Sequence, residues 1–68
     1  MSYLYEIKGT FNANPIKTKH FRHYSSAIKY LDSLLTSLDV EIEEIFTSAN
    51  SDTYVANNYS RFVLTKLA

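Results

Sequence analysis

The chain contains no cysteine. Disulfides are therefore excluded, and so is a zinc site built on thiolates. Gly9 is the only glycine, which rules out the phosphate-cradling P-loop, the GxGxxG dinucleotide turn and the GxSxG nucleophile elbow. Net charge is also missing, because seven Lys and Arg balance seven Asp and Glu. A dedicated nucleic-acid binder is usually basic overall, so that class loses ground. Neutrality also weakens self-repulsion and makes association easier. No apolar run approaches the length of a membrane span. The opening MSYLYEIKG lacks the charged-then-apolar pattern of a signal peptide. These two absences lead us to expect a cytoplasmic protein with no membrane partner.

What is present suffices for one domain, residues 1–68. A chain this short buries only about 60% of the surface that its unfolded form exposes, so its stability is marginal. With 46% hydrophobic and 15% aromatic residues, packing alone can hold a fold, and disorder is disfavoured.

The most regular stretch is SSAIKYLDSLLTSL, residues 25–38. Its apolar residues fall at 27, 28, 31, 34, 35 and 38, which is one face of a helix. Ser25 or Ser26 is the expected cap, since a hydroxyl there accepts a bond from an unpaired backbone N–H. The flanking segments read as strands. Residues 2–12 alternate with period two, placing Tyr3, Tyr5, Ile7, Gly9 and Phe11 on one face. Gly9 sits mid-strand, where a bulge or a close backbone approach is expected, and the helix is a candidate for that approach. Asn12-Ala13-Asn14-Pro15 signals a turn. Residues 16–24 then return as an edge strand whose lysines discourage unwanted pairing.

After the helix, residues 39–49 fit either period, and we favour a strand because β-branched residues dominate the first half. Residues 50–53 read as a loop by composition, with Tyr54-Val55-Ala56 as a brief strand extension. Residues 59–67 form a final strand that is apolar on both faces, as expected of a central strand or one paired with another subunit. The expected fold is α+β: an antiparallel sheet of three to four strands packed on one helix, in ββαββ order. The expected core is Tyr5, Ile7, Ala27, Leu31, Leu34, Leu35, Leu38, Ile42, Phe62 and Leu64.

Three groups of residues could carry function. Lys17, Lys19, Phe21 and Arg22 combine cations with a ring, as single-stranded nucleic acid requires. Five of the seven basic residues lie between Lys8 and Lys29, so a local positive face is credible. Asp39, Glu41, Glu43 and Glu44 concentrate the opposite charge, and strand alternation would project Glu41 and Glu43 from one face. Such a patch suits a basic surface on a partner, including one that normally grips nucleic-acid phosphates. The aromatic set Tyr3, Tyr30, Tyr54 and Tyr59 suits a protein interface, because Tyr brings apolar area together with a hydroxyl that needs a partner. His20 and His23, three residues apart on a strand, would point to opposite faces. No metal site, cofactor or catalytic residue is therefore expected.

The layout carried by YLYEIKG, KTKHFRHYSSAIKYL and RFVLTKL resembles that of small phage or mobile-element accessory proteins, including some anti-CRISPR proteins. The resemblance implies a cysteine-poor single domain with a short sheet against one helix. It also implies stoichiometric binding to a host protein or its nucleic-acid site, without catalysis. Taken together, the sequence leads us to expect a protein-binding module, an inhibitor or modulator of a host machine such as a nucleic-acid-processing complex. The alternative is a nucleic-acid binder using the basic–aromatic strand. A homodimer through an edge strand or the final strand is compatible with either.

Overall fold

A computed structural model describes Tyr3 to Leu67. Ser2, included in the alternation of the first strand, lies outside the described residues. The elements are β1 (Tyr5–Phe11), β2 (Asn14–Pro15), β3 (Lys19–Phe21), α1 (Tyr24–Leu38), β4 (Ile42–Thr47), β5 (Ser51–Ala56) and β6 (Arg61–Lys66). All pairings are antiparallel, in the order β2-β1-β6-β5-β4, with β3 also on β1. The α+β class is as expected, but the strand count is higher and the order richer than ββαββ.

Two corrections account for the difference. The strand predicted over residues 16–24 forms only at Lys19–Phe21, Tyr24 joins the helix, and Asn14 and Pro15, read as part of a turn, pair with β1 instead. Tyr5 pairs with Phe21 and Ile7 with Lys19, whereas Thr10 pairs with Pro15. The sums of partner numbers, 26 and 25, show one extra residue absorbed around residues 16–18. The predicted loop at residues 50–53 is mostly strand β5. Ser48 and Ser51 explain this: their hydroxyls lie 3.0 Å apart, and the Ser48 N–H donates to the Ser51 carbonyl at 2.8 Å. This closes a tight hairpin, and the polar residues that follow pair on both sides. Composition signals a turn, but sheet pairing extends the strand.

The helix forms where expected, and Ala27 and Leu31 are buried beneath it. Its start differs from expectation. His23 is the N-cap, with no side-chain cap bond, so neither Ser25 nor Ser26 caps the helix. Its end follows backbone rules. Asp39 adopts the left-handed conformation (φ 55°), its N–H reaches the Thr36 carbonyl, and Val40 N–H reaches the Leu35 carbonyl. That double closure, with Val40 packed on the core, is the motif that ends a helix and turns the chain away.

The core is Ile7, Ala27, Leu31, Ala56, Phe62 and Leu64, all at most 3% exposed. Tyr5, Leu34, Leu35, Leu38 and Ile42 pack against it as half-buried residues. β6 is central, between β1 and β5, so its two apolar faces reflect sheet position and it has no free edge for a second subunit. Gly9 pairs with Phe62, and a Cβ there would collide with the Arg61 carbonyl and the Phe62 backbone. The close approach is therefore made by β6 rather than by the helix. α1 lies over the β1–β3 side of the sheet. Among the described residues, no helix is long and apolar enough to cross a membrane.

Candidate functional site

The acidic residues gather around the start of β4. Asp39 closes the helix, Glu41 follows it, and Glu43 and Glu44 lie within the strand. All four are exposed. The register shifts between Ile42 and Glu44, so Glu43 is the extra residue of a bulge. The simple alternation expected for Glu41 and Glu43 is thus interrupted. Glu41 lies just before the strand, where its carbonyl accepts the Asn57 N–H at 2.9 Å.

That bond fastens the acidic segment to the turn between β5 and β6, and this turn carries Tyr59. Tyr59 is 90% exposed and has φ 66°. The turn itself is firmly built. Ala56 N–H donates to the Ser60 carbonyl at 2.8 Å and Tyr59 N–H to the Ala56 carbonyl at 3.1 Å. Ser60 is buried, and its hydroxyl accepts the Asn12 N–H at 3.1 Å. Asn58 Nδ2 donates to Asn12 Oδ1 at 3.1 Å. Two hairpin turns and the acidic segment thus form one end of the molecule. In hairpins of this kind the left-handed position usually holds Gly, because a side chain there is strained. Here it holds a large aromatic that almost nothing covers.

The other predicted aromatics are placed differently. Tyr30 and Tyr54 are half-buried against the core, and Tyr30 packs on Phe21 with ring centroids 5.2 Å apart. Burial, helped by nearby Asp52 and Tyr24, raises the Tyr54 phenol above its ordinary pKa. Tyr3 is 53% exposed and leans on the His20 ring at 5.6 Å.

The basic segment is split by its own alternation. Lys17 and Arg22 are exposed, Lys19 is half-buried and Phe21 turns to the core. His20 takes the opposite face, where its Nε2 lies 2.9 Å from Glu6 Oε2, and Lys8 Nζ lies 3.7 Å from Glu6 Oε1. The ring expected to stack on a base is therefore engaged with Tyr30.

Two residues missed by the sequence reading stand out on β4. Ile45 and Phe46 are each 56% exposed, on opposite faces of an edge strand. The available signal was the IFT run beside a polar hairpin.

The depressions among the described residues include two that the sheet and helix form. One, about 230 Å³, lies between Tyr5, Tyr24, Leu64, Lys66 and the β4–β5 hairpin. The other, about 160 Å³, is lined by Ile28, Leu31, Asp32, Leu35 and Tyr54. Both fall below the roughly 300–1,000 Å³ of ordinary ligand pockets. Among the described residues, no group of three or more His, Asp or Glu side chains is placed to hold a metal ion. Comparison with known proteins gives no match: no family model, no curated protein and no solved structure is similar to this chain.

Proposed function

We propose that this protein is a small non-catalytic binding module that engages another protein through Tyr59 and the acidic segment Asp39–Glu44. One observation carries the reading. A tyrosine sits where the backbone favours glycine, at the tip of a well-bonded hairpin, with 90% of its surface in water. Folding gains nothing from that ring. Strained, exposed residues held by a rigid surround mark functional positions. Tyrosine is also among the residues most often central to protein interfaces. The neighbouring carboxylates favour a partner with a basic surface, such as one that handles nucleic acid. A phage-type inhibitor or modulator of a host machine, as the layout suggests, fits this chemistry.

The test is a pull-down with the purified protein from lysate of the cells that harbour it, with and without nuclease treatment, beside Tyr59→Gly. Glycine relieves the left-handed strain, so the variant should melt no lower than the parent and gain up to about 1 kcal/mol. We expect one protein to be captured by the parent and lost by the variant. Equal capture by both would remove Tyr59 from the interface. Recovery of nucleic acid instead, falling steeply as salt rises, would shift the function to Lys17, Lys19 and Arg22.

A further inference from the structure

We infer that two copies of this chain pair through the outer edge of β4, antiparallel and centred on Phe46. β4 ends the sheet, and no strand among the described residues pairs with its outer side. Antiparallel ladders alternate the direction of their backbone groups. Ser48 N–H bonds to Ser51, so the even residues of β4 face β5. On the other side of β5, Ala56 N–H bonds to Ser60 and Lys66 N–H bonds to Asn50. That leaves the odd residues of β5 to face β4, in agreement. The N–H and C=O groups of Ile45 and Thr47 therefore point outward, away from the sheet.

A two-fold axis at Phe46 uses all four of these groups. Ile45 of each copy pairs with Thr47 of the other through two hydrogen bonds, giving four in total. Phe46 meets its own symmetry mate in the closely spaced non-bonded position. Glu44 comes opposite Ser48. The two Glu44 side chains lie four residues apart along the seam, about 13 Å, beyond the screening length of about 8 Å at physiological salt. The acidic residues, which would repel in other registers, fall at opposite ends. The pairing also covers Ile45 and Phe46, and because it is isologous it closes as a dimer without growing into a fibre.

The opposite edge of the sheet is a poorer partner for β4. β2 and β3 are two and three residues long, are offset by the register break, and include Pro15, which has no N–H. A second copy of β4 is the better match. This inference does not depend on the proposed role of Tyr59, which lies in the β5–β6 turn, and of the acidic segment only Glu44 borders the seam.

Sedimentation of the full chain across the micromolar range tests it. We expect a monomer–dimer equilibrium for the parent and a monomer for Thr47→Pro. The Thr47 N–H faces outward, so proline there spares the ladder to β5, and circular dichroism should show an unchanged fold. Cysteine substitution tests the register in a chain with no native cysteine. Phe46→Cys should form a disulfide-linked dimer in oxidised glutathione, because its Cβ atoms meet across the axis. Ile45→Cys, offset from its mate, should link far more slowly. A parent that stays monomeric, a dimeric Thr47→Pro, or faster linking by Ile45→Cys would each overturn the proposal.

Discussion

Gly9 shows how one residue can hold the centre of the sheet together. It faces Phe62 across the β1–β6 ladder, and its missing side chain is the space that the Arg61 carbonyl and Phe62 occupy. Gly9→Ala inserts a methyl where backbone already lies. Because its φ is not positive, the expected cost is steric, about 1–3 kcal/mol, read as a lower midpoint in urea unfolding. Tyr54 sets a limit of a different kind. Its phenol is raised mainly by burial, then by Asp52 and Tyr24. A raised pKa means that the folded state holds the proton longer. The contribution is intact below the unfolded value of 10.0 and is lost as pH climbs through the folded value. Stability should therefore fall above about pH 10, and Tyr54→Phe should flatten that part of the melting-temperature profile. The special status of Gly9 was legible from its place in an alternating strand; the identity of its neighbour was not, because strand order is a long-range property. Tyr59 was legible only as one of four candidate interface tyrosines, alongside Tyr3, Tyr30 and Tyr54. What sets it apart is a backbone angle that no side-chain pattern encodes.

At the scale of elements, the helix was the most readable part. Its face follows from spacing alone, and Ala27 and Leu31 are the two residues it buries fully. Leu31→Ala should cost about 2–5 kcal/mol, a large share of what a small domain possesses. A variant melting within a degree or two of the parent would show that the helix is not what closes the core. The cap at His23 was not legible, since Ser25 and Ser26 are both good cap residues and packing placed the first turn earlier. β5 was harder still. Ser51, Asp52 and Thr53 have the composition of a loop, yet pairing with β4 on one side and β6 on the other makes them a strand. The acidic cluster was visible as charge. The bulge at Glu43 that interrupts its alternation depends on where β4 meets Val55 and Ala56, which sequence spacing does not reveal.

For the molecule as a whole, the arrangement is lopsided. The helix covers the β1–β3 side, and beyond it the sheet runs out to β4, five of whose six residues are exposed. The segregation of charge seen in the sequence survives folding. Acidic residues surround β4, while Lys17, Lys19 and Arg22 lie at the opposite edge with β2 and β3. Neither edge depends on the other for its structure, so loss of the proposed β4 pairing should leave the cooperative melt of the monomer in place.

The central position of β6 also governs the order in which the fold can assemble. β1 and β6 sit side by side, yet more than fifty residues of chain separate Ile7 from its partner Leu64. β4, β5 and β6 follow one another through short turns and pair as a local meander, while β1 pairs locally only with the short β2 and β3. Joining β1 to β6 is the step that closes a long loop. Such non-local closure makes folding slow relative to a helical domain of equal length. Until it happens the β1-facing edge of β6 is uncovered, so the interval before β1 arrives is when this chain is most open to mispairing.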